Sequence, residues 1–158
     1  MLVLFLFEQT VAGYRIKSWI VSKRVAKAVT SLGDDRALKF YEDSKKGKAD
    51  FEHEKEMLMK LKSSASEWVV TLLEAVESPL ILAFELLGES LAQWLDKVQR
   101  DKYFAQTAEL ISVQILAAVN ALHAARVIHC DLKSEQFCFR LGLIGQVPVF
   151  LRFFALQK

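Results

Sequence analysis

Cysteine is scarce in this 158-residue chain: Cys130 and Cys138 are the only two. That excludes a disulfide framework, and a reducing, intracellular setting, cytoplasmic or nuclear, is the expectation. Neither cysteine sits in a Cys-x-x-Cys or Cys/His ligand pattern, which excludes a structural zinc site of the usual kind. Two prolines and six glycines leave little room for long flexible linkers. Charge of one sign is missing too. Twenty-one Lys and Arg stand against 19 Asp and Glu, so no clustered basic field points to nucleic acid. The apolar opening, Met1 to Phe7, is short and lacks the basic flank and small-residue cleavage site of a signal peptide. It also falls short of the roughly 20 residues that a spanning helix needs, so a strand is expected there and no membrane partner.

What is present is a globular composition, 53% hydrophobic and 25% charged, with no internal repeat. Partial alternation marks strands at Tyr14 to Val21 and Val25 to Val29, and Ala37 to Tyr41 follows the turn Gly33-Asp34-Asp35. The period then changes. Phe51, Met57, Leu58 and Leu61 fall at helical spacing within 49–62, with Asp50 as the expected N-cap and the lysines 45, 46 and 48 in a solvated loop before it. Two further strands are expected at Trp68 to Leu73 and Leu80 to Phe84. Helices are expected from Ser90 to Val98 and from Phe104 to Ala125, and strands again from Phe137 to Phe139 and Val147 to Phe150. The class is α+β: five antiparallel strands with one inserted helix, then a more helical part, with a boundary near Leu87-Gly88.

The most specific segment is Ile128-His129-Cys130-Asp131-Leu132-Lys133-Ser134-Glu135-Gln136, placed after a long helix and before a short strand. It resembles the catalytic loop of protein kinases, commonly HRDLKPEN. Ala37-Leu38-Lys39 resembles the lysine motif of the family's third strand, and Glu54, fifteen residues on, resembles the glutamate that pairs with that lysine. Leu82 to Gly88 resembles the gatekeeper and hinge. The resemblance implies a protein-kinase-like fold: residues 1–13 as an extension, 14–87 as the small lobe and hinge, and 88–158 as an incomplete large lobe ending near the DFG-equivalent position.

The same resemblance implies roles. Asp131 would take the proton of the attacking hydroxyl, and Lys133 would neutralise charge on the transferred phosphoryl group, as in the Ser/Thr-type loop. Lys39, oriented by Glu54, would hold the phosphates of ATP. Ala37 and Val29 would contact the nucleotide, with backbone groups of Glu85 and Leu87 on adenine. Gln136 stands where the family has an asparagine ligand for Mg2+. Cys130 in place of the usual arginine resembles the dual-specificity tyrosine-regulated group, as does Phe84 to Gly88.

The chain also departs from the family. Aligning Ile20 to Val29 on the glycine-rich loop puts Val21, Lys23 and Ala26 at the three glycine positions. Side chains there obstruct the close backbone approach to phosphate that glycine permits. Arg152 falls where the metal-binding aspartate of DFG belongs, and an arginine repels the ion. The expectation is a kinase-like domain with ATP and protein substrate as the family's partners and little catalysis by this chain. The rival expectation is a pseudokinase that presents its long helix to a protein partner.

Overall fold

The computed structural model describes residues 9–21, 24–63, 68–98, 104–140 and 149–151. They form two compact units, the first comprising residues 1–51 and 73–86 and the second 52–72 and 87–158.

The first unit is built on a curled, antiparallel, six-stranded sheet. Its strands are β1 (Thr10–Val11), β2 (Tyr14–Val21), β3 (Val25–Val29), β4 (Asp35–Phe40), β5 (Leu72–Glu77) and β6 (Leu80–Glu85), in the order β1-β2-β3-β4-β6-β5. The sheet differs from the sequence expectation in two places. Two-residue β1 adds a sixth strand, and β5 begins at Leu72, so the apolar Trp68 to Thr71 lies before the strand. The alternating pattern puts Tyr14, Ala28, Leu38, Ile81 and Ala83 into one core, with Val11, Ile16, Phe40 and Val76 packed against it. Tyr14 also donates its hydroxyl to the Glu74 carboxylate, which links β2 to β5. Burial first, and then that carboxylate, push the Tyr14 phenol up to about 12.

Helix α1 (Lys45–Ser63) starts four residues before the position expected from sequence. The physical reason lies in Ser44 and Gly47. Ser44 Oγ accepts the Gly47 N–H at 3.0 Å and its carbonyl accepts the Lys48 N–H at 2.9 Å, so Ser44 caps the helix in place of Asp50. The lysine run is therefore the first turn of a helix. Gly47 is buried against the chain it has just left, and a Cβ there would lie 2.1 Å from the Glu42 carbonyl oxygen.

The second unit contains the rest of α1, then α2 (Leu91–Lys97), α3 (Phe104–Ala124), a 3-10 turn (Ser134–Gln136), and the ribbon of β7 (Phe137–Phe139) with β8 (Val149–Leu151). α2 opens with a capping box: Gln93 N–H donates to Ser90 Oγ at 3.2 Å, and Ser90 N–H donates to Gln93 Oε1 at 2.9 Å. Trp94 stacks on Phe104 with ring centroids 6.3 Å apart and meets the edge of Phe139 at 5.9 Å. Ile111, Ala118 and Leu122 form the buried side of α3, while Leu110, Val113 and Leu116 are exposed. By length and composition alone α3 is long and apolar enough to cross a membrane.

Replacing Gly47 with Ala would add helix propensity but drive a methyl into the Glu42 carbonyl. The clash should win, lowering stability by about 1–3 kcal/mol in equilibrium urea unfolding. An unchanged or raised urea midpoint would contradict this packing.

Candidate functional site

The loop after α3 takes its shape from the way the helix ends. Val127 N–H donates to the Leu122 carbonyl and Arg126 N–H to the His123 carbonyl, both at 2.9 Å. This is the Schellman pattern, and Arg126 adopts the left-handed conformation (φ 56°) usually given to glycine. Leu122 and Val127, the two apolar residues that the motif brings together, are both fully buried. The chain is thereby reversed and delivered to Ile128 at a fixed point.

The far end is pinned as well. Gly88 N–H donates to the Phe139 carbonyl at 2.7 Å, and Phe139 N–H donates to the Glu89 carbonyl at 3.0 Å. β7 is thus stitched to the start of the second unit, and Ser90 forms a bridge with Cys138.

Between these anchors His129 is buried, and its Nδ1 accepts the Asp131 N–H at 3.3 Å. Cys130 lies between them in a left-handed conformation (φ 63°), with its thiol directed at the Ile128 carbonyl, 3.8 Å away. The turn presents the Asp131 side chain. Asp131 Oδ2 is 2.9 Å from Lys133 Nζ and accepts a hydrogen bond from Gln136 Nε2 at 3.2 Å. Asp131 is half-buried and Lys133 more exposed, so solvent reaches both.

The electrostatics follow from this geometry. The Lys133 ammonium, hydrogen-bonded to Asp131, holds its carboxyl below the usual carboxylate range, with the Gln136 amide assisting. The carboxylate in turn raises Lys133 above the ordinary lysine value. At neutral pH the pair is ionised: a carboxylate able to accept a proton beside a cation able to face an anion.

The structure brings together Asp131, Lys133 and Gln136 of the residues selected from sequence, with His129 as their support. In the first unit Ala37 and Lys39 lie on β4, and the Lys39 ammonium sits 5.2 Å from the centre of the Tyr41 ring. Glu85 ends β6 and Leu87 follows it into the second unit. Glu54, in the second unit, is 3% exposed, whereas its neighbours Glu52 and Glu56 are exposed and Glu52 is bonded to Lys55 at 2.9 Å. Burial thus singles out Glu54 among three acids that sequence spacing alone does not separate. Val29 is buried at the end of β3 opposite Asp35, while the residue opposite Ala37 is Lys27. Lys23 and Arg152 lie outside the described residues.

The metal ligand set is thin. Among the described residues no group of three His, Cys, Asp or Glu gathers to hold an ion. Gln136 Oε1 is buried without a hydrogen-bond partner and is one oxygen a cation would accept. Mg2+ demands about six oxygens, normally with one or two carboxylates from the protein, so these residues do not make its site.

Replacing Lys133 with Met should let the Asp131 titration midpoint rise toward the ordinary value of about 3.9, as read by carboxyl 13C NMR. In the unaltered chain the pair's stabilisation is present above that range and is lost as pH falls through the depressed value. A midpoint that does not move on substitution would contradict the ion pair.

Comparison with known proteins agrees with this geometry. Residues 22–140 match the family model described as protein kinase domain. The chain is similar to dual specificity tyrosine-phosphorylation-regulated kinase 3 of Homo sapiens, Mus musculus and Rattus norvegicus, 31% identical over 87 residues. The similarity covers 54% of this chain and 15% of each relative.

Proposed function

The chain belongs to the protein kinase domain family, and on that premise we propose that it binds the phosphates of ATP through Lys39 and transfers phosphate to protein Ser or Thr only slowly. ATP and Mg2+ are the family's general cofactors. The observation that carries the reading is the Asp131 carboxylate held between Lys133 and Gln136. In the proposed step Asp131 accepts the proton of the substrate hydroxyl, whose oxygen bonds to the γ-phosphorus as ADP leaves. Lys133 faces the charge that spreads over the transferred group. Both roles suit groups held ionised at neutral pH. Division into a small lobe over 14–87 and a large lobe from 88 is part of the same proposal.

Slow turnover has its own support. Ala26, aligned with the third glycine of the phosphate loop, is fully buried in β3, paired with Trp19 on one side and Leu38 on the other. At that position a side chain stands where the family has glycine. Among the described residues no cluster of three metal-ligating side chains points to a built magnesium site, and no step here is routed through the ion.

A second reading, a binding module with no turnover at all, is favoured by one observation: Leu110, Val113 and Leu116 on α3 are each more than 60% exposed. A protein partner seated there would cover them.

Transfer of radiolabelled γ-phosphate to a Ser/Thr-rich protein substrate tests the proposal. We expect a rate about a thousandfold below the roughly 1–100 s−1 of active kinases, and its loss in Asp131→Asn. Asp131-dependent turnover near 1 s−1 would overturn slow transfer. Label incorporation that survives Asp131→Asn would overturn the assignment of the base, and its complete absence would favour the binding module.

A further inference from the structure

Lys39 has an aromatic neighbour that the nucleotide-binding reading does not use, and the inference below rests on that reading of Lys39. The pairing of β4 with β6 continues past the end of β4: Phe40 lies opposite Ile81, and the Tyr41 N–H donates to the Leu80 carbonyl at 3.0 Å. On the other side the Phe40 N–H donates to the Arg24 carbonyl at 2.8 Å, so the backbone is tied in both directions across the sheet. Extended backbone sends alternate residues to one face. Phe40 accordingly packs against the core, while Lys39 and Tyr41 share the opposite face. The Tyr41 ring is held from a third side by Phe51, a fully buried residue of α1. The two rings meet edge to face with centroids 5.5 Å apart.

The same ring lies beneath the Lys39 ammonium, whose nitrogen stands 5.2 Å from the ring centre. That is within the roughly 6 Å at which a cation is attracted to the negative face of an aromatic ring, and the attraction strengthens as water is removed. Lys39 and Tyr41 are both half-buried, and the residues opposite Lys39 on the two neighbouring strands, Val25 and Leu82, are buried and apolar. A lysine has a flexible four-carbon stem and loses much freedom when a ligand immobilises its head. A ring anchored on three sides takes up part of that loss on folding, before any anion arrives. Lys39 makes a further interaction besides this one, so the ring is one constraint on the ammonium among others.

We propose that Tyr41 is a positioning residue of the nucleotide site: its ring holds the Lys39 ammonium where the phosphates of ATP are met. Tyr41 takes no part in the transfer step. It acts through Lys39.

The test is displacement of a fluorescent ATP analogue from the full chain by ATP. Tyr41→Phe, which keeps the ring, should bind ATP within about twofold of the unaltered chain. Tyr41→Leu, which keeps apolar bulk and loses the ring, should bind about threefold to tenfold more weakly. A trifluorinated phenylalanine in place of Tyr41 keeps the shape but withdraws charge from the ring face. It should weaken ATP about threefold relative to Tyr41→Phe, a difference that packing alone would not produce. The ε-CH2 protons of Lys39, assigned by their loss in Lys39→Arg, should resonate upfield under the ring current in the unaltered chain and in Tyr41→Phe. In Tyr41→Leu they should return to the ordinary lysine position. The two ringed variants carry the test if Tyr41→Leu does not fold. Affinity unmoved by fluorination, ATP bound as tightly by folded Tyr41→Leu, or the absence of the upfield shift would each overturn the role of Tyr41. Tyr41→Phe as weak as Tyr41→Leu would overturn it too, since the hydroxyl and not the ring would then matter. Failure of the folded, unaltered chain to bind the analogue at all would bring down the nucleotide reading itself, and this inference with it.

Discussion

The segment from Arg126 to Phe139 is pinned at both ends by main-chain hydrogen bonds, and the chemistry assigned to it depends on that constraint. At one end the Schellman closure of α3 buries Leu122 against Val127. At the other, Gly88 and Glu89 exchange hydrogen bonds with Phe139. A loop free at either end would pay conformational entropy each time Asp131, Lys133 and Gln136 came together. Here much of that cost is met in folding, with His129 fixing the backbone N–H of Asp131 from inside the turn. Two residues in the left-handed region, Arg126 and Cys130, mark where the chain accepts strain to achieve this shape.

The loop of the second unit and the sheet of the first unit keep the kinase pattern unequally. The loop that would handle the substrate hydroxyl has its acid, its cation and its supporting amide in contact. The sheet that would handle the nucleotide has its lysine on β4, but Ala26, aligned with the third glycine of the phosphate loop, is buried in β3. The proposal of slow transfer rests on this contrast, because phosphoryl transfer depends on positioning and charge stabilisation.

Much of this was legible in the sequence, for reasons that differ by element. α2, α3, β3, β6 and β7 fall close to their expected places because their apolar periodicity and end signals agree with burial. β5 was misplaced because the apolar run Trp68 to Leu73 resembles a strand. The real strand, Leu72–Glu77, exposes Leu73, Glu74 and Glu77 as an edge strand does, so its pattern is weak. The start of α1 was hidden by Gly47, a residue that reads as a helix breaker and is required here by a close backbone approach. Asp131, Lys133 and Gln136 were legible because loop residues with chemistry occur in a fixed local order. Tyr41 was not: it reads as the end of a strand, and the contact of its ring with Lys39 shows only in the structure.

The central claim is a nucleotide site that works through phosphate contacts with little help from a metal. Calorimetric titration of the chain with a non-hydrolysable ATP analogue, with and without magnesium, tests it most directly, with Lys39→Ala as the control. The account predicts binding that is lost in Lys39→Ala and altered less than about threefold by magnesium. Tightening by magnesium of tenfold or more, or the absence of any binding to the folded chain, would contradict it.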